Sequence, residues 1–105
     1  MSNSMQFLMV GNLQADALDS GRHPDIKRLL QEEQAHARKA YMDGSIRQIW
    51  LQSPGPGAVA LLEANSLDDA RRLALSFPLA QAGLLNVSVI ALTSYAGFGV
   101  SADSK

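Results

Sequence analysis

The sequence predicts an α+β fold of the ferredoxin-like type, with the element order βαββαβ. Two observations indicate it: four short apolar segments with the composition of strands, and two segments of helical periodicity that follow the first and the third of them. The length of 105 residues and the 47% share of apolar residues suit one globular domain over 1–105. We expect its core at about 5–94, followed by a flexible C-terminal tail.

The first half of the chain predicts a strand, a long loop and a helix. The strand covers 5–10, an apolar run that stops at a glycine. The polar stretch 12–23 is typical of a loop, and a loop of this length in a small domain is often functional. Pro24 suits the first turn of a helix, because the N–H that it lacks has no helical partner there. The helix is expected to end at Gly44.

The second half predicts three strands and a second helix. The strands are expected at 45–52, 58–64 and 84–92, and the helix at 67–76. Pro54 and Pro56 cannot donate to a strand ladder, so a turn is expected between the second and third strands. Asn65 or Ser66 is expected to cap the helix, and Pro78 to close it.

Both faces of the predicted sheet carry apolar side chains. In the third strand, Val59 and Leu61 alternate with Ala60 and Leu62. The two helices can cover one face. We expect a second copy of the chain to cover the other, in a homodimer or a higher homo-oligomer.

The composition bears on the classes of partner and on location. Nine Lys and Arg oppose ten Asp and Glu, so the near-neutral chain has no electrostatic reason to bind nucleic acid. Its apolar runs are too short to span a membrane, and its first residues lack the features of a signal peptide. With no cysteine, a cytoplasmic location is the expectation.

The composition also limits the chemistry. The absence of cysteine excludes disulfides, iron–sulfur clusters and thiol catalysis. His23 and His36 do not have the spacing of a metal site, so no metal is expected. The chain has no nucleophile elbow, phosphate-binding loop or dinucleotide fingerprint, and we expect no cofactor.

Glu33 is the most informative residue of the first helix. The apolar stripe of this helix is formed by Ile26, Leu29, Leu30, Ala37 and Ala40. At about 100° per residue, Glu33 falls about 20° from Ile26, within the stripe. A carboxylate beneath a helix either finds a partner or has a raised pKa, as a general base requires. Three interpretations stay open: a functional group in a pocket, a structural ion pair with Arg47, or a side chain that reaches the helix edge.

Four other residues are candidates for the same site. His36, about one turn from Glu33, could orient it, bind an anion or shuttle a proton, or be merely half-exposed. Arg47 interrupts an apolar face of the second strand and could anchor a substrate carboxylate. Trp50 could be core or the flat wall of a pocket, and Tyr41 could lend a hydroxyl group.

The segment 31–50 resembles the helix-to-strand segment of muconolactone isomerases: an acidic pair on the helix, a glycine turn and an Arg-x-x-Trp strand. Glu33, Gly44, Arg47 and Trp50 match this pattern. The runs 65–69 and 77–79 also match, and the similarity covers about 6–92. The chain departs from the family at Gln48, where the family has a histidine, and in the turn after the second strand.

The resemblance implies a dimeric α+β barrel, often assembled into larger rings. It also implies a cofactor-free shift of a double bond in a small unsaturated lactone, as in the breakdown of aromatic compounds. Glu33 would be the base, and Arg47 and His36 the anion contacts. Two other interpretations stay open on the same fold: a non-catalytic module for ligand binding or assembly, and a cofactor-free monooxygenase or cyclase.

Overall fold

A computed structural model of the protein describes residues 4–99 and has the predicted α+β architecture, in which the strands and the two long helices follow the order βαββαβ. The strands are β1 Met5–Leu13, β2 Ile46–Leu51, β3 Gly57–Ala64 and β4 Leu85–Ala91. The long helices are α1 Ile26–Met42 and α2 Leu67–Leu75, and the one-turn helices are α3 Pro78–Gln81 and α4 Ala96–Gly99. The prediction of a flexible tail falls in part on 100–105, which lie outside the described residues.

The four strands form one sheet in the order β2-β3-β1-β4, and all neighbouring strands are antiparallel. This order confirms the ferredoxin-like class. The core lies between one face of the sheet and the helices, where Phe7, Ile46 and Leu62 are fully buried. Ala70 and Ala74 of α2 are buried in the same cluster.

The central strand β1 is longer than predicted. A glycine was expected to end it, but Gly11 pairs with Ala58 on one side and with Val87 on the other. Two ladders hold this position, so the weak strand propensity of glycine does not end the strand. A Cβ at Gly11 would lie 3.2 Å from the side chain of Leu85, so the missing side chain allows close packing here.

An irregularity in β2 changes which residues share a face. The pairing with β3 shifts between Ile46 and Gln48. Simple alternation predicts Ile46 on the same face as Trp50, but the shift places Ile46 in the core on the helix side. Trp50 then pairs with Val59 on the opposite face.

The segment after α2 differs from the prediction. Ser66 caps α2 as expected, since its Oγ accepts a hydrogen bond from the Asp69 N–H at 3.0 Å. Pro78, however, opens α3 instead of closing α2, which ends at Leu75. Proline is compatible with the first turn of a helix and with the residues after its end, because it is disfavoured in the helix interior.

A second apolar cluster holds α3 against the start of α1. It consists of Ala17 from the loop after β1, with Ile26, Leu79 and Leu84. The long loop is therefore packed into the fold through Ala17, in the same cluster as Leu79.

The sheet face opposite the helices is partly open. Leu8, Val10, Val59 and Leu61 are half-buried there, and the exposed Trp50 and Ile90 flank them on the outer strands. Within residues 4–99, no helix has both the length and the apolar character that crossing a bilayer demands.

Candidate functional site

A pocket of about 200 Å³ lies between α1 and the helix-facing side of the sheet. Its small side chains account for the space: Ala37 on the helix and Ala58 and Ala60 on β3 leave room that larger residues would fill. The full lining is Met9, Glu33, Gln34, Ala37, Ile49, Leu51, Ala58, Ala60 and Phe77.

Glu33 lies in this pocket, half-buried, as the helical stripe predicts. Its Oε1 accepts a hydrogen bond from the backbone N–H of Leu79 at 2.9 Å. Leu79 is in the first turn of α3, where backbone N–H groups have no helical partner, so the carboxylate satisfies one of them. Within residues 4–99, this is the one hydrogen bond of the Glu33 side chain, and no cation forms an ion pair with it.

Burial raises the pKa of Glu33, and the hydrogen bond from Leu79 partly opposes this, with a net rise. The carboxyl group thus takes up a proton more readily than an exposed glutamate. A raised pKa brings a carboxylate closer to the range in which a general base is efficient near neutral pH.

Of the three interpretations left open for Glu33, the ion pair with Arg47 is absent among residues 4–99. The Nη1 atom of Arg47 lies 4.0 Å from Oε1 of Glu63, and the Arg47 side chain is largely exposed. Arg47 occupies the irregular position of β2, where alternation does not decide the direction of the side chain.

His36 contacts the segment that follows α2. Its Nε2 lies 2.8 Å from Oγ of Ser76, and its ring packs edge-on against Phe77 with centroids 4.7 Å apart. The Ser76 hydroxyl donates its hydrogen to the Leu73 carbonyl at 2.6 Å. His36 therefore donates through Nε2–H, which fixes its tautomer in the neutral ring. Among the described contacts, His36 has none to Glu33, and its ring contact is with Phe77, which lines the pocket.

Trp50 and Tyr41 lie away from the pocket. Trp50 is on the open face of the sheet, and Tyr41 is exposed near the end of α1. Tyr41 and Arg47 share a shallow depression of about 440 Å³ with the turn between α1 and β2. Of the five predicted site residues, Glu33 lines the pocket between α1 and the sheet. The functional roles of all five residues stay predictions.

Sequence reasoning missed Gln34 and Phe77. Gln34 carries a side-chain amide at the pocket and lies about 80° from Ile26 on the helical wheel, beside the stripe. That angle could have revealed it. Phe77 lines the pocket because α3 returns beneath α1, and no local pattern indicates this return.

The two histidines lie in different parts of the structure. Among residues 4–99, no group of three or more His, Cys, Asp or Glu side chains is placed to hold a metal ion. His23 lies in the loop before α1, with its buried Nε2 at 3.6 Å from Asp16. Arg22 contacts the other oxygen of Asp16 at 3.0 Å, so this small cluster belongs to the loop and not to the pocket.

No protein-family model and no curated protein matches the chain. A solved structure is similar to it: the 5-chloro-2-hydroxyhydroquinone dehydrochlorinase TftG from Burkholderia phenoliruptrix AC1100, in complex with 2,5-dihydroxybenzoquinone. The two chains share 17% sequence identity, with a TM-score of 0.64 over 89% of this chain and 98% of the other. At this identity the likeness shows the fold and nothing more specific.

Proposed function

We propose that this protein is a cofactor-free isomerase, similar to muconolactone isomerases, that shifts a double bond in a small unsaturated lactone or organic acid. The observation that carries the proposal is Glu33. It is a half-buried carboxylate that accepts a hydrogen bond from Leu79 through one oxygen and lines a largely apolar pocket. Burial raises its pKa, as a general base near neutral pH requires.

The proposed reaction needs proton transfer alone. The free oxygen of Glu33 takes a proton from the carbon beside the lactone double bond, and the electron pair moves into the conjugated carbonyl to form a dienolate. The protonated Glu33 then returns the proton to a carbon farther along the conjugated system. Neither oxidation nor reduction occurs. Among the described lining residues, the amide of Gln34 is the side-chain N–H donor that could meet the enolate oxygen.

The size of the pocket fits a single ring. Cavities of about 150 Å³ in other proteins hold benzene, and this pocket measures about 200 Å³. The structurally similar dehydrochlorinase is named for a chlorinated hydroxylated ring and was solved with a hydroxylated quinone ring, 2,5-dihydroxybenzoquinone. These points support a small cyclic substrate from the breakdown of aromatic compounds.

We also propose that two copies of the chain pair through the open face of the sheet, as a homodimer or within a higher homo-oligomer. Trp50 is 50% exposed there and Ile90 49%, beside four half-buried apolar side chains. Covering this face removes apolar surface from water. A cytoplasmic location stays a prediction from the sequence.

The experiment compares Glu33→Gln with Glu32→Gln. Glutamine can still accept the hydrogen bond from Leu79, but it cannot carry the proton. We expect Glu33→Gln to lower turnover of an unsaturated lactone by at least about a hundredfold and to leave the melting temperature within a few degrees. Proton NMR in D₂O measures both the shift of the double bond and the exchange of the transferred hydrogen.

Glu32→Gln is the matched control, because Glu32 is the adjacent glutamate, lies on the solvent side and pairs with Arg28 at 2.9 Å. It should retain full turnover. Equal turnover in wild type and Glu33→Gln, or equal losses in both variants, would contradict a base at Glu33.

A non-catalytic binding module is the second candidate. The lining of the pocket favours this candidate, because it is largely apolar. Among the described lining residues, Gln34 is the polar side chain beside Glu33. In that case a lactone binds wild type and Glu33→Gln alike, and neither protein exchanges deuterium into it.

A further inference from the structure

The pocket between α1 and the sheet contains a carboxylate, and none of the described residues that line it is a cation. From α1 it receives Glu33 and the neutral amide of Gln34. The facing strands and Phe77 contribute uncharged side chains. A ligand in the pocket therefore meets one acidic group in apolar surroundings.

Arg38, Arg47 and His36, which are near Glu33 in the sequence, do not line this pocket. Arg47 approaches Glu63 and lines a different depression. Arg38, one helical turn beyond Gln34, is exposed and does not line the pocket. His36 uses its Nε2 on Ser76 and its ring on Phe77.

A ligand with its own carboxylate would be poorly tolerated here. Two carboxylates in one partly dry site cannot both remain ionised without a counter-charge, so one must bind a proton or the ligand must leave. A neutral ring has no such penalty, and its apolar atoms match the walls formed by Met9, Ile49 and Phe77.

We propose that the ligand of this pocket is an uncharged ring with a carbonyl group, such as a lactone without a free carboxylate, and that Glu33 selects against anionic ligands. This proposal narrows the substrate class of the proposed isomerase. It rests on that proposed function, because the carbonyl group acidifies the carbon from which Glu33 takes the proton. It departs from the expectation that Arg47 anchors a substrate carboxylate, because the structure places Arg47 outside the pocket.

The test uses the full chain and two probes of nearly equal shape: an unsaturated five-membered lactone with an acetic acid side chain, and its primary amide. Isothermal titration calorimetry measures both affinities between about pH 5 and 8. We expect the amide to bind at least about tenfold tighter than the acid at the upper end of this range. The affinity for the acid should rise as the pH falls, because Glu33 takes up a proton, and the affinity for the amide should change little.

Variants separate the causes. Glu33→Gln removes the charge and keeps the shape, so the acid should then bind about as tightly as the amide. Arg38→Ala should change neither affinity, because Arg38 lies outside the pocket. The proposal is overturned if the acid binds as tightly as the amide, if neither probe binds, or if Arg47→Ala weakens the acid and spares the amide.

The binding preference measured by calorimetry does not depend on whether the protein turns the ligand over. A strong preference for the amide without any isomerisation would support this inference and contradict the isomerase. Glu33-dependent turnover of the acid, with no preference for the amide, would support the isomerase and contradict this inference.

Discussion

Glu33 uses its two carboxylate oxygens differently. Oε1 satisfies a backbone N–H of α3, which contributes to the structure, and within residues 4–99 the other oxygen has no hydrogen-bond partner. In the proposed function, a structural role and a chemical role coexist in this side chain. Glutamine preserves the first and removes the second, which makes Glu33→Gln more informative than a truncation.

The raised pKa of Glu33 predicts how stability depends on pH. Because burial favours the protonated form, the folded chain binds this proton more tightly than the unfolded chain. The resulting stabilisation is complete below the unfolded-state pKa and is lost as the pH rises through the folded-state pKa. Compared with Glu33→Gln, the wild type should lose stability across this window and then level off.

Urea unfolding of both proteins at a series of pH values measures the difference. Because the glutamine variant has no proton to gain at this position, it serves as the reference at each pH. Parallel stability curves through the window would show that Glu33 has the same pKa in the folded and unfolded chains.

At the scale of elements, α1 holds the segment that follows α2 through two polar contacts one turn apart. Glu33 bonds to the N–H of Leu79, and His36 bonds to the hydroxyl of Ser76. Phe77, between these two points, forms a wall of the pocket. The shape of the pocket therefore depends on contacts between α1 and a segment about forty residues farther along the chain.

The contact between His36 and Ser76 predicts a non-additive pair. His36→Phe keeps an aromatic ring beside Phe77 but removes the donor, and Ser76→Ala removes the acceptor. Each change should lower the free energy of unfolding by about 1 kcal/mol, and the double variant should lose less than the sum. Urea unfolding of the four proteins measures this coupling, and strictly additive losses would show that the hydrogen bond contributes nothing.

The backbone conformation of Gly57, at the start of β3, predicts that a side chain at this position lowers stability. Gly57 has a φ of +152°, and a Cβ there would lie 2.5 Å from the carbonyl oxygen of Gly11. Gly57→Ala should therefore lower the free energy of unfolding by about 1–3 kcal/mol. Gly55→Ala is the control in the same turn, since its nearest neighbours would lie 3.6 Å away. Similar stabilities of the two variants, measured by urea unfolding, would contradict this account.

At the scale of the whole molecule, the open sheet face predicts the oligomer. Ile90→Lys places a charge on this face and should convert a dimer into a monomer, as measured by sedimentation velocity. Leu75→Lys on α2 is the matched control, because Leu75 is 51% exposed and Ile90 49% exposed, on opposite sides of the sheet. A dimer that survives Ile90→Lys but not Leu75→Lys would place the interface on the helix side.

The sequence alone determined the order of the elements and the position of Glu33 beneath α1. Both depend on local geometry: helical and strand periodicities are set by neighbouring residues, and a helix of fixed pitch decides which side chain falls within its apolar stripe. Ser66 as a helix cap follows for the same reason, since donor and acceptor are three residues apart.

The tertiary structure alone decided what surrounds Glu33. Its partner Leu79 lies 46 positions away in the sequence, and Phe77 reaches the pocket because α3 returns beneath α1. The irregularity in β2 placed Ile46 in the core, and Arg47 was found against Glu63 and not against Glu33. Contacts between distant segments, and one register shift in a strand, depend on how the whole chain packs, which no local pattern encodes.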